Sequence, residues 1–231
     1  MKKILFFILI SSYSLFADAL PTSIKSSVKS TSNEVIQLSS NIPVGMSGII
    51  IHNYGNGLSA ITHTTISLGN GKASVESHTA ILHKNIPSIQ TAVTVGDDVI
   101  FGNFYNNALL IAPNQVAYKQ ITQKFHRTWI HPDAFALDFM KEGETKISME
   151  ALERFSKKNQ VGLVLVVTAE RLLIIDPISK KIIGSTALKS NPNSAKTPFY
   201  ARFDQMSLSV FSLGENNKHY TPYFQSVAGL K

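Results

Sequence analysis

Val161 to Thr168 is an almost unbroken apolar run. A strand with one wet face alternates apolar and polar residues, so a run of this kind needs cover on both faces. Any fold that houses it must place packing layers on both sides of one sheet. Its neighbours supply part of that cover. Pro132 suits a first helical turn, and Ala134 to Met140 continues helically until Gly143. Ser148 is placed to cap a helix over Met149 to Lys158, with Leu152 and Phe155 on one face. Arg171 to Ile175 and Lys181 to Leu188 read as further strands, joined through Asp176-Pro177-Ile178-Ser179-Lys180, and Phe199 to Met206 as an added edge. The order helix, helix, strand, strand, strand predicts helices packed on a largely antiparallel sheet, an α+β unit.

The first half has the period of strands. Ile42 to Gly48 leads into Ile49-Ile50-Ile51, and Asn53 to Gly57 is a turn. Leu58 to Leu68 is β-like, and Lys72 to Leu82 returns as its partner. Asn70-Gly71 between them is a hairpin signal, because both central positions of a type I′ turn need positive φ. Val95-Gly96-Asp97-Asp98 opens a strand from Val99 to Tyr105. Asn106-Asn107 reads as a second two-residue turn, and Ala108 to Ala112 comes back until Pro113-Asn114 stops it. Residues 42–115 therefore read as a strand-rich, small barrel-like unit, with the α+β unit over 116–213. Residues 18–41, where Thr22 to Ser40 is rich in Ser, Thr and Lys, read as a flexible tether. Residues 214–231 read as a polar C-terminal tail.

The first residues read as an address. Met1-Lys2-Lys3 is positive, Ile4 to Ile10 is apolar, and Ala17-Asp18-Ala19 offers small residues at cleavage spacing. This predicts a signal peptide over 1–17, cut after Ala17 or Ala19. The apolar run is short for a bilayer core of roughly 30 Å, and no later stretch approaches about 18 apolar residues. The mature chain is thus expected to lack a transmembrane segment and to reach the periplasm or the cell surface. The absence of cysteine removes disulfides, thiolate zinc sites, iron–sulfur clusters and catalytic thiols. A net charge of +7 suits contact with anionic lipid or polysaccharide. Nucleic acid is not an expected partner, since the chain is read as exported and shows no basic–aromatic recognition motif.

Catalytic and metal motifs are scarce. There is no H-E-x-x-H, and His78/His83 and His126/His131 are each five apart, which suits neither one helix face nor one strand face. Gly-x-Ser-x-Gly is absent, and Gly45-Met46-Ser47-Gly48 precedes a strand rather than joining strand to helix. Gly55, Gly57, Gly69 and Gly71 are hairpin glycines, not a phosphate cradle. His131-Pro132-Asp133 matches the tripeptide of J-domain co-chaperones, but a helix N-terminus explains it better. Trp129 is expected to pack in the core, and Asp97-Asp98 to form a turn rather than a calcium site. No catalytic residue, metal or cofactor is expected, and an enzyme is the least favoured class.

Several runs carry a resemblance. Val95-Gly96-Asp97-Asp98-Val99-Ile100-Phe101-Gly102, Leu109-Leu110-Ile111-Ala112-Pro113-Asn114, Trp129-Ile130-His131-Pro132-Asp133, Val161-Gly162-Leu163 and Pro198-Phe199-Tyr200-Ala201-Arg202 are, in this order, similar to the N-terminal domain of bacterial plasminogen-binding surface proteins. The similarity spans roughly 42 to 206. It implies an exported, non-enzymatic envelope or surface protein that binds plasminogen or another host protein. Members with that activity look longer, with a charged, lysine-rich extension ending in lysine. The fold is therefore expected to carry over better than the activity. Lys231, the last residue of the sequence, joins an ammonium to a carboxylate, the pair that plasminogen's kringle modules capture. Lys231 and Lys218 are the expected ligand-binding residues. The alternative is a periplasmic structural or assembly domain with partners in a cell-envelope complex.

Overall fold

A computed structural model describes residues 20–77, 91–190, 195–202 and 222–230. Six strands close into an antiparallel barrel: β1 (Ile24–Ser32), β2 (Val35–Leu38), β3 (Ser47–Gly55), β4 (Leu58–Gly69), β5 (Lys72–Ser77) and β6 (Asp98–Phe101). Around the barrel the order is β1-β2-β5-β4-β3-β6, and β6 pairs back onto β1 from Ile24 with Phe101 to Ser27 with Asp98. Asn70 and Gly71 have φ of 52° and 68°, the two positive angles their hairpin requires.

The segment expected to be a tether instead supplies β1 and β2. In a barrel only alternate residues point inward. Val28, Ile36 and Leu38 fill that role here, while Lys25, Lys29 and Ser30 face water. Few apolar residues are needed, so the composition resembles that of a linker.

The second sheet has the order β11-β10-β9-β7-β8. Its strands are β7 (Asn107–Ile111), β8 (Thr128–Ile130), β9 (Leu163–Val167), β10 (Arg171–Asp176) and β11 (Lys181–Ala187). It is antiparallel through β9, β10 and β11, as the order of elements predicts. Beyond β9 it is parallel, because β7 runs alongside both β9 and β8. This departs from a largely antiparallel sheet, and the turn after β6 explains why. Asn106-Asn107 does not fold β7 back onto β6. The chain turns at Gly102, with φ of 64°, and Asn107 N–H donates to the Phe104 carbonyl as β7 begins. The strand is thereby handed from barrel to second sheet.

Among the described residues four helices accompany the strands: α1 (Gln115–Lys124), α2 (Pro132–Lys141), α3 (Met149–Asn159) and α4 (Pro222–Val227), followed by a 3-10 turn at Ala228–Leu230. The Ser148 hydroxyl accepts from Ala151 N–H, capping α3 as expected. Phe199 to Ala201 is buried but is not a strand. Residues 203–206 of that expected edge lie outside the described residues, as do the expected signal peptide and most of the expected tail.

The sheet is covered on both faces, which accounts for β9. Leu109, Val164, Val166, Leu173 and Ile175 pack with Phe135, Phe139, Leu152, Phe155 and Tyr223 on the helical side. Ala108, Leu110, Leu163, Leu165, Leu172 and Ile174 pack with Met46, Ile50, Phe101 and Ile121 on the barrel side. Alternation along each strand thus separates two apolar cores rather than core from water. The fold is α+β, with a barrel in the N-terminal part.

One buried carboxylate ties the barrel to the sheet. Asp176, at the end of β10, is fully buried. Its Oδ2 accepts from Ser47 N–H at 2.7 Å and from the Tyr105 hydroxyl at 2.6 Å. Its Oδ1 accepts from Ile178 N–H and Ser179 N–H, each at 3.0 Å. Burial, then the Asp176 charge, pushes the Tyr105 hydroxyl far above its ordinary range, so it stays protonated and donates.

Candidate functional site

β8 ends at Ile130 and α2 begins at Pro132, so His131 falls at the helix N-cap. Pro at the first turn and Asp133 beside it suit a helix start, for φ and for the dipole respectively. The His131 Nδ1 accepts from Asp133 N–H at 3.2 Å. The imidazole that makes this bond is neutral, with its proton on Nε2.

A strap from the far end of the chain lies across this point. Lys196 N–H donates to the Pro113 carbonyl and Tyr200 N–H to the Ala112 carbonyl, both at 2.7 Å. Arg202 then grips Asp133 twice, with Nε on Oδ2 at 2.6 Å and backbone N–H on Oδ1 at 2.8 Å. Aromatic rings close over the imidazole. Tyr118 of α1 lies 5.4 Å from the His131 ring and 5.5 Å from that of Tyr200, centroid to centroid. The Lys196 ammonium stands 6.0 Å over Tyr200. The cluster sits beyond the carboxyl ends of the parallel strands β7 and β8, where open α/β sheets bind their ligands.

The charges are matched. Burial raises the Asp133 carboxyl, but hydrogen bonds from the Arg202 backbone and side chain outweigh it and hold it below the usual carboxylate value. Burial lowers the His131 imidazole, Asp133 draws it back up, and Arg202 lowers it again, leaving a net depression. Burial, then Tyr200, pushes the Tyr118 hydroxyl up. Chemically the set orients groups and balances charge: Asp133 is satisfied on both oxygens, and His131 holds an acceptor at the head of a helix.

Trp129–Asp133 and Pro198–Arg202 are separate runs in the sequence. The structure brings them together through Arg202 and Asp133. It adds Tyr118, which lies in none of the runs singled out from the sequence. Trp129 packs against the barrel-side core as expected, and its Nε1–H donates to the Phe125 carbonyl at 3.2 Å. Asp97 closes the turn from Thr94, its N–H donating to the Thr94 carbonyl, whereas Asp98 already opens β6. The Asp97 carboxylate accepts from Thr94 N–H at 2.9 Å and the Thr94 hydroxyl at 3.0 Å, and Oδ1 meets His52 Nδ1 at 2.7 Å. His78 and His83 lie outside the described residues. Among the described residues no group of three His, Asp or Glu is placed to hold a metal. Lys218 and Lys231 also lie outside them, so the geometry of the expected binding lysines does not enter here.

Fold and cluster together define an α+β protein in which a closed barrel is welded to a helix-covered mixed sheet and a basic strap is pinned across the sheet's end. The chain belongs to the family described as "Plasminogen-binding protein pgbA N-terminal", whose model matches residues 22–228. It is 26% identical over 168 residues to plasminogen-binding protein PgbA from each of two strains of Helicobacter pylori. That similarity takes in 70% of this chain and 37% of each relative, so the chain spans little more than a third of those relatives' length. No solved structure matches. The family is named for a binding protein, not an enzyme. No helix among the described residues is long and apolar enough to cross a membrane.

Proposed function

We propose that this chain is an exported, non-enzymatic envelope or surface protein that binds plasminogen, with Lys231 as the principal contact and Lys218 assisting. The observation that carries the reading is membership of the plasminogen-binding family over nearly the whole chain. The lysine assignment rests on chemistry. A kringle pocket captures a lysine ammonium between charged groups and aromatic walls, and Lys231 and Lys218 each offer one. The positively charged opening residues and the apolar run behind them support export.

The test is a comparison of variants on immobilised plasminogen. Removal of Lys231 should reduce binding at least about tenfold, the scale of one lost charge-assisted contact of about 1.5–3 kcal/mol. Lys218→Ala should reduce it less. Undiminished binding by both variants would overturn the lysine assignment. Failure of the unaltered chain to bind would overturn the plasminogen reading itself.

A further inference from the structure

The His131 ring stands between a donor and an acceptor at almost equal range. Its Nδ1 is 3.2 Å from Asp133 N and 3.1 Å from Asp133 Oδ1. Only one of these contacts is attractive at a time. A neutral Nδ1 accepts from the amide and repels the carboxylate oxygen. A protonated Nδ1 donates to the carboxylate and repels the amide. The choice matters because Asp133 is also what holds Arg202.

We propose that His131 is an acid-sensitive latch on the strap over residues 195–202: neutral, it caps α2 and leaves Asp133 to Arg202; protonated, it claims Asp133 and releases Arg202. Three features of the geometry support this. Oδ1, the oxygen nearest Nδ1, is the one that accepts from Arg202 N–H, so the imidazolium competes for an occupied site. Protonation places a second cation beside the Arg202 guanidinium and at the positive end of the α2 dipole. The Arg202 side chain is 68% exposed, so once released it is solvated at once.

The groups facing His131 are Asp133 on its own helix, Tyr118 from α1, and Tyr200 and Arg202 from the strap. Tyr118, pushed up by burial, stays neutral, and Arg202, raised by its bond to Asp133, stays charged. Asp133 stays ionised, since its carboxyl is held below its ordinary 3.8. His131 is therefore the member of the set that takes up a proton as pH falls below the imidazole's ordinary 6.5. Burial favours its neutral form, so the folded chain takes up this proton less readily than the unfolded chain. The latch's contribution to stability is full above the imidazole's ordinary 6.5 and is lost as pH falls below it.

The test is amide hydrogen exchange of the full chain, read as protection factors between pH 7.5 and pH 5, beside an NMR titration of the His131 ring. Protection at Arg202 N–H should fall about tenfold across this range, tracking the His131 midpoint, while amides of β9 hold. His131→Asn supplies a cap acceptor that does not titrate. In that variant Arg202 protection should stay level with pH. Arg202 protection that is flat in the unaltered chain, or that falls equally in His131→Asn, would overturn the proposal. So would a His131 midpoint above 6.5. None of these readouts depends on plasminogen binding.

Discussion

Asp176 shows how much one side chain can carry. It is fully buried, yet it accepts four hydrogen bonds, two from its own turn, one from the barrel strand β3 and one from Tyr105. Truncation would leave those donors buried and unpaired, at about 1–3 kcal/mol for each that finds no water. Asp176→Ala is expected to lower the unfolding free energy by about 3–5 kcal/mol, and Tyr105→Phe by about 1–2 kcal/mol. Urea denaturation checks both, and values under about 0.5 kcal/mol, those of an ordinary surface change, would contradict the role given to this junction. The sequence did not disclose it. Asp176-Pro177 reads as a turn, and Asp176 is buried because Ser47, 129 residues away in sequence, aims its amide at the carboxylate. Asp133 was half legible. Its place at a helix start follows from His131-Pro132-Asp133, but its grip on Arg202 joins residues 69 apart. Local spacing carries no trace of such a pairing.

At the scale of elements, legibility followed apolar periodicity. α2 and α3 are evident because each buries an apolar stripe, Phe135 with Phe139 in one and Leu152 with Phe155 in the other. α1 is not legible because Ile121 is its one buried residue, leaving almost no stripe to read. Its cap was present in Asn114, whose side chain accepts from Ala117 N–H at 2.9 Å, but Pro113-Asn114 reads equally well as a strand stop. β8 is three residues long, too short to show a period. β1 and β2 were hidden by polar composition, although they close the barrel. Removal of residues 20–40 should therefore abolish cooperative thermal unfolding, because it strips two of the barrel's strands. An unchanged melting transition would mean that the segment is a tether after all. β9 offers the complementary case. Leu165 is fully buried in the barrel-side core, so Leu165→Ala should cost about 2–5 kcal/mol. Val116 on α1 is 76% exposed, and Val116→Ala should change stability by less than about 0.5 kcal/mol. Equal effects of the two in chemical denaturation would contradict the double cover of the sheet.

For the whole molecule, the α+β class and the barrel-like first unit were readable from turn residues and the change of period. The handover of β7 between sheets was not, because it depends on which partner a short apolar strand chooses. The family was legible from an ordered series of short runs, and it covers residues 22–228. The series has a physical basis: two of its runs meet at Asp133 and Arg202, where the strap is pinned. Binding is the property that the family name attaches to its members, and the chain spans little more than a third of the relatives that carry the name. The direct measurement is saturation binding of the chain to immobilised plasminogen, with and without a free lysine analogue. The expected result is saturable binding that the analogue abolishes and that weakens when Lys231 is removed. No binding, or binding indifferent to the analogue, would contradict plasminogen capture by this chain's lysines.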